Sequence, residues 1–171
     1  MSNYRFIGLE SIAYGTPRAA TVAGMTATLT TIAAIVPGSA VLAIATPGKT
    51  ELMVEDSDWA DIVLNLPGEK TIEFATRDMA PANWALAFGG AAGTTGWRAA
   101  DTAVVVSNKS IKAVTKSYNG KKVTIDIVNA NIRGGGDLMF SKTESGMLTF
   151  AIDILRPKQP STDRAITMLL S

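Results

Sequence analysis

Apolar and polar residues alternate with a period of two along most of this chain, and this pattern limits what the chain can fold into. In residues 71–76, Ile72 and Phe74 alternate with Thr71 and Glu73. A period of two places successive side chains on opposite faces of a β-strand. Similar segments predict strands at 25–35, 40–46, 51–54, 101–107, 110–118, 122–130, 137–142 and 146–155. The sequence therefore predicts a mainly β, antiparallel domain of the sandwich or barrel-like kind.

Residues 81–88 (PANWALAF) interrupt the alternation and predict one short helix flanking the strands. Pro81 suits a first helical turn, and Trp84 and Phe88 are spaced to lie on one helix face. The glycines at 89 and 90 provide a stop signal. The segment that follows, Gly89–Gly96, predicts a flexible connection.

The dipeptide Asn119-Gly120 predicts a hairpin between two of the strands. A two-residue loop would place Lys112 opposite Ile127, on the apolar face. A three-residue bulged loop would pair Ala113 with Ile127 and Thr115 with Ile125, which keeps the lysines off that face. We therefore expect the bulged turn. The run Gly134-Gly135-Gly136 is interpreted as a bulge or turn.

Two apolar regions suggest contact between copies of the chain. No charged residue occurs from Ala19 to Gly48, although a strand at a free surface usually has a polar face. A polar, proline-containing linker at 156–164 precedes an apolar tail. For both regions, packing within one molecule and packing against a neighbour are left open. The candidate interface residues are Met25, Leu29, Ile35, Ile166 and Leu169.

The chain contains no Cys and no His, which excludes disulfides, thiol or imidazole metal sites and His-dependent triads. Residues 43–50 (AIATPGKT) match a relaxed phosphate-loop pattern with Ala43 in place of the first glycine. Pro47 removes an amide donor, and the acidic residues that follow would repel phosphate, so Gly48, Lys49 and Thr50 are interpreted as an accidental match.

Other carboxylates give no stronger indication of chemistry. The pairs Asp56/Asp58 and Asp126/Asp153 have no sequence feature that would bring either pair into a cleft. A calcium loop at 56–58 would lack the required glycine and bidentate Glu. We therefore predict no catalytic residues, no metal site and no cofactor, and a protein that is not an enzyme.

Charge is nearly balanced, with 16 Lys and Arg against 15 Asp and Glu. This balance argues against a protein whose whole surface binds nucleic acid. Local asymmetry exists in an acidic run (Glu51, Glu55, Asp56, Asp58 and Asp61) and in a basic stretch (Arg98, Lys109, Lys112, Lys116, Lys121 and Lys122). Each is either a solvated face or one half of a complementary contact. The N-terminus does not have the pattern of a signal peptide, and threonines and Pro37 argue against a membrane span at 19–48.

The order of these elements resembles the tail tube (major tail) proteins of long-tailed bacteriophages. The likeness covers residues 4–157: apolar strands at 25–46, the acidic segment TELMVEDSDWADIVLNLPGEKTIEF, the helix PANWALAFGG, and the closing series IKAVTKSYNGKKVTIDIVNANIRGGGDLMFSKTESGMLTFAIDILRP. It is a likeness of element order, because no diagnostic motif is present.

The resemblance implies a virion protein, made in the host cytoplasm, that forms hexameric rings stacked into a tube. Viral DNA would pass through without sequence-specific binding, and other tail proteins would be partners. The five acidic residues become candidates to face the lumen or a ring contact, and Lys112 and Lys116 are expected to face outward or pair with acids on a neighbouring copy. By this analogy residues 1–20 and 156–171 are arms and 21–155 form the domain.

Alternative functions are a different viral shell or connector component, a secretion-system tube, a nucleotide-binding enzyme using Lys49, or a carbohydrate-binding sandwich. The last usually presents clustered aromatics, whereas the three Trp are expected to lie apart, at Trp59, Trp84 and Trp97.

Overall fold

The structure is a computed structural model that describes residues 8–16, 29–53, 60–66, 68–100, 108–137, 146–157 and 165–171. The chain folds into antiparallel strands with one helix among these residues. In chain order the elements are β1 (Leu9–Gly15), β2 (Thr30–Ile32), β3 (Val41–Ile44), β4 (Gly48–Met53), β5 (Ala60–Leu66), β6 (Lys70–Thr76), α1 (Pro81–Phe88), β7 (Ala91–Gly93), β8 (Gly96–Arg98), β9 (Asn108–Thr115), β10 (Val123–Asp137), β11 (Met147–Ile154) and β12 (Ile166–Leu170).

Eight of the strands form one sheet in the order β2-β1-β9-β10-β11-β6-β3, and β12 also pairs with β10. Every pairing is antiparallel, and β4–β5 and β7–β8 form two separate ribbons. The predicted mainly β, antiparallel fold with a short helix at 81–88 is thus confirmed. The predicted strands at 101–107 and 138–142 lie outside the described residues.

The segment from Thr30 to Ile44 connects the two ends of the sheet order, which gives the sheet a barrel-like character. Its first part, β2, pairs with β1. Its later part forms a bridge from Ile35 to Thr76, and β3 then pairs with β6. The buried Thr76 hydroxyl donates to the Ala33 carbonyl at 2.6 Å, which fixes this crossing.

Alternating side chains of six strands build the core on one face of the sheet. The buried set comprises Ile12, Ile32, Ile72, Phe74, Ile111, Ala113, Val123, Ile125, Ile127, Ala130, Leu148, Phe150 and Ile152. Phe74 and Phe150 face each other across β6 and β11 with ring centroids 5.1 Å apart. The core is built mainly from β-branched and small residues, as the composition indicates.

Helix α1 packs on the core side of the sheet, and Gly134 makes room for it. Gly134 pairs with Phe150 in the β10–β11 ladder, and a Cβ at Gly134 would lie 2.2 Å from the Cβ of Ala87. The interpretation of residues 134–136 as a bulge or turn is therefore wrong. They continue β10, because the glycine is needed where the helix backbone approaches the strand.

The prediction of a flexible connection at Gly89–Gly96 is also wrong. Ala91–Gly93 and Gly96–Arg98 pair as a two-stranded ribbon. The indole N–H of Trp97 donates to the Gly89 carbonyl at 2.7 Å, and its ring lies 5.4 Å from Trp84 and 6.0 Å from Phe88. The ribbon is ordered by this aromatic cluster, so Trp84 and Trp97 do not lie apart as expected.

The 119–120 hairpin has a different register from the expected one. Tyr118 and Lys121 form a bridge around a two-residue turn, and both Asn119 (φ 51°) and Gly120 (φ 77°) have positive φ, which defines a type I′ turn. In the strands, however, Ala113 pairs with Ile125 and Ile111 with Ile127. The β9 side carries one extra residue near Thr115, whose hydroxyl oxygen accepts the Val123 amide at 3.0 Å.

Candidate assembly edges

Among the described residues, several strands pair on one side only: β2, β3 and β12 in the large sheet, and the strands of the two ribbons. Strands β3 and β12 also expose large apolar side chains, and we call their unpaired edges the open edges. β3 pairs only with β6, and β12 pairs only with β10. Their large apolar side chains are exposed, with Ile44 at 55% and Leu170 at 56%. Val41, Met168 and Leu169 have similar exposure. Both edges thus combine an unpaired backbone with apolar side chains in solvent.

Hydrogen-bond alternation shows which amides point to the open edge of β12. Lys122 and Ser171 exchange both backbone hydrogen bonds, at 2.7 and 3.0 Å. Hydrogen-bonded and non-hydrogen-bonded pairs alternate along an antiparallel ladder. The pairs Thr124–Leu169 and Asp126–Thr167 are therefore the bonded ones in the β10–β12 register. The amides of Met168 and Leu170 point away from β10, where another strand could accept them.

The same alternation applies to β3. The amide of Ala45 donates to the Glu69 carbonyl at 2.8 Å, and the register pairs Ala43 with Thr71. The backbone groups of Leu42 and Ile44 therefore point to the open edge.

Neither open edge carries the features that usually prevent edge-to-edge association. Such features include charged side chains, proline and bulges. Residues 41–44 read VLAI and residues 166–170 read ITMLL, with no charge or proline in either. Each edge can add a strand from another chain at little electrostatic cost.

The basic stretch is partly neutralised within the chain. Lys112 faces Asp126 across β9 and β10, on the face opposite the core pair Ala113–Ile125. Lys122 contacts a Glu10 carboxyl oxygen at 2.6 Å. The expectation that Lys112 lies off the apolar face is therefore met, and its partner is an acid of the same molecule.

Asp126 and Asn129 are the buried polar side chains with unpaired atoms among the described residues. Asp126 is 2% exposed and Asn129 is 5% exposed, and an Oδ1 atom in each has no hydrogen-bond partner. Asn129 also donates to the Arg156 carbonyl at 2.8 Å. Burial raises the pKa of Asp126, and the charge of Lys112 lowers it to a smaller extent. The surroundings of Asp126 thus favour the protonated form of its carboxyl group.

A shallow cleft of about 490 Å³ lies across β6, β11 and β10. Its floor includes the small residues Ala75, Gly135 and Ala151, and its charged members are Glu73 and Arg133. Arg133 donates two hydrogen bonds to Asp153, at 2.8 and 2.7 Å. This pair occupies the guanidinium fork of Arg133, so Glu73 is the charged lining residue of the cleft that lies outside the pair.

The nucleotide-loop match does not have the geometry of a phosphate site. Gly48, Lys49 and Thr50 form part of β4 and pair with Leu66, Asn65 and Leu64 of β5. A phosphate loop instead wraps its amides around the ligand and leads into a helix. The sequence match is not accompanied by the required loop.

Of the two carboxylate pairs considered in the sequence, Asp126/Asp153 is described, and its members have different charged neighbours. Asp126 faces Lys112 whereas Asp153 pairs with Arg133, and Asp56 and Asp58 lie outside the described residues. In the described part of the chain, no group of three or more potential acidic ligands could hold a metal ion.

The predicted interface and lumen residues are placed as follows. Ile35 and Ile166 pack against the core of their own chain, Leu29 is half-buried, and Leu169 lies exposed on β12. Glu51 lies in β4 and Asp61 in β5. Met25, Glu55, Asp56 and Asp58 lie outside the described residues. The lumen assignment stays a prediction. The exposed edge strand β3 lies in the uncharged region 19–48 that suggested contact between copies, although none of its residues was among the five named candidates.

No protein-family model matches this chain, and a search of curated proteins gave no match either. Within the described ranges, none of the helical structure has the length and apolar character needed to cross a membrane.

Proposed function

We propose that this chain is a structural protein that assembles with copies of itself. The observation that carries the proposal is the pair of open edges, β3 and β12, which are apolar and unprotected. Open edges are an aggregation hazard that folded proteins usually block. An assembly that joins edges between copies removes this hazard and uses the exposed side chains.

Two different open edges on one chain favour a head-to-tail contact. When unlike surfaces join, the contact repeats and generates either a closed ring or an open filament. Backbone hydrogen bonds supply affinity in strand addition, and side chains such as Val41 and Leu169 supply the apolar contact.

The particular assembly that we propose is the tube of a bacteriophage tail, made of stacked hexameric rings through which DNA passes. This rests on the resemblance in element order and is supported by the mainly β fold with the helix at 81–88. The ion pair of Lys122 with Glu10 also fits, because a paired cation binds passing DNA less well. In this proposal the chain is not an enzyme.

A matched pair of methionine substitutions tests the edge contact. Met168 lies on the open strand β12, whereas Met147 lies on β11, which has strands on both sides, and the two are 43% and 40% exposed. Met168→Lys places a charge on the edge and is expected to reduce assembly, measured by sedimentation velocity. Met147→Lys makes the same chemical change and is expected to assemble like the parent protein.

Val41→Lys tests the β3 edge in the same way, because Val41 is 54% exposed. Loss of large species in Val41→Lys and Met168→Lys, with normal assembly of Met147→Lys, supports the proposal. Equal behaviour of all three variants contradicts a contact through the open edges.

A further inference from the structure

Asp126 is a buried carboxyl group between two strands. It lies on the face of β10 opposite the core residues Ile125 and Ile127, and it is 2% exposed. Its cross-strand neighbours are Lys112 on β9 and Thr167 on β12. Its Oδ1 atom has no hydrogen-bond partner. Such a group is costly to keep buried in its charged form.

Strand β12 is held by one neighbouring strand, unlike the central strands of the sheet, which have a neighbour on each side. Among the described strands it pairs with β10 alone, and Met168, Leu169 and Leu170 stay exposed. Ile166 is the β12 side chain that packs against the core. Segments that bury little apolar surface separate from a protein at low free-energy cost.

We propose that β12 is a releasable strand and that ionisation of Asp126 weakens its attachment to β10. The backbone groups of Asp126 and Thr167 form a hydrogen-bonded pair of the β10–β12 ladder. The Thr167 side chain therefore lies beside the Asp126 carboxyl group on the same face of the sheet. When β12 separates, water reaches the carboxylate and its charge is solvated. The attached strand therefore favours the protonated carboxyl, and the detached strand favours the carboxylate.

Lys112 is the charged side chain that faces Asp126 from β9, and β12 contributes the neutral Thr167. Burial raises the pKa of Asp126, and Lys112 opposes this with a smaller effect. The contribution of Asp126 to attachment is therefore fully present below the usual Asp pKa. It is lost as the pH rises through the raised pKa of the attached form.

Release of β12 uncovers the edge of β10 from Val123 to Ile127. That edge could then accept a strand from a second molecule. The release itself does not depend on the proposed function, because it is a property of the single chain.

Amide hydrogen exchange of β12 tests the proposal. The amides of Thr167 and Leu169 bond to β10, and the amide of Ser171 bonds to the carbonyl of Lys122, just before β10. The protection factors of these three amides, corrected for the intrinsic rate at each pH, report the attachment. We expect these factors to fall as the pH rises through the raised pKa. The total change is about tenfold for each pH unit by which attachment raises that pKa.

Two variants complete this experiment. Asp126→Asn is expected to make the three protection factors independent of pH, because the side chain no longer ionises. Asp153→Asn removes a carboxylate from the neighbouring strand β11 and is expected to keep the parent pH dependence. A pH-independent parent protein, or an Asp126→Asn variant that keeps the parent slope, overturns the proposal.

A second measurement retains Asp126 and therefore does not depend on whether the Asp126→Asn variant folds. Thr167→Pro removes the amide that bonds to β10 and is expected to detach β12. The pKa of Asp126, followed by carbon NMR of its carboxyl group, should then move back towards the usual Asp value. An unchanged Asp126 pKa in a variant whose β12 amides have lost protection contradicts the link.

Discussion

Substitution of Gly134 by alanine should destabilise the protein, because the added methyl group collides with helix α1. The new Cβ would lie 2.2 Å from the Cβ of Ala87 and 2.4 Å from its Cα. Reaching the 3.4 Å of ordinary contact requires the helix to retreat by about 1.2 Å from the sheet. Trp84 and Phe88, which pack against the core, would move with it.

Overpacking of this kind costs about 1–3 kcal/mol, which corresponds to a fall in Tm of about 2–4 °C per kcal/mol in a chain of this size. The free energy of unfolding can be measured by urea denaturation, followed by circular dichroism. Gly135→Ala is the matched control, because its Cβ points to the opposite face and meets a side-chain atom, the Thr149 hydroxyl oxygen, at 3.0 Å instead of helix backbone. It should change stability by no more than about 0.5 kcal/mol.

If Gly134→Ala is as stable as the parent protein, or if both glycine variants lose the same stability, then α1 does not pack against Gly134 as described. If α1 does pack against Gly134, a crystal structure of the Gly134→Ala variant would show the helix displaced from the sheet.

Three further substitutions test separate features by the same denaturation assay. Phe150→Ala removes a fully buried ring stacked on Phe74 and should cost about 3–5 kcal/mol; a loss below 1 kcal/mol would contradict its central place in the core. Arg133→Gln breaks an exposed pair with Asp153 and should cost at most about 1 kcal/mol, with the difference shrinking in high salt; a large, salt-independent loss would contradict an exposed pair. Gly120→Ala meets open space at φ +77°, so it should cost about 1 kcal/mol or more from backbone strain alone, and an unchanged stability would argue against the type I′ turn.

Local sequence signals were enough to predict the helix and most strands. Pro81 and the glycines after Phe88 mark the two ends of α1, and both marks act on the backbone nearby. The alternation in residues 71–76 likewise identified β6, because one face of that strand is buried.

The alternation of apolar and polar residues did not determine the hairpin register. Alternation determined which face each residue occupies, so Ala113 and Ile125 were correctly assigned to the apolar side. A shift by two residues keeps every side chain on its face, and the pattern cannot detect it. The extra residue near Thr115 depends on a hydrogen bond to Val123 that local sequence does not reveal.

Features that depend on contacts distant in sequence were missed for the same reason. Residue 134 can be a glycine within a strand because Ala87 of the helix approaches it too closely for a side chain. The ribbon after Gly89 is ordered by the contact of Trp97 with Trp84. The partner of the C-terminal tail was left open, since an apolar run does not specify what it pairs with. In the structure it is β10 of the same chain.

Self-assembly through the open edges β3 and β12 can be observed by electron microscopy of the purified chain in negative stain. We expect rings or stacked tubes at high protein concentration, and their loss in the Val41→Lys and Met168→Lys variants. A strictly monomeric protein at that concentration, above all one that hydrolyses ATP, would contradict self-assembly.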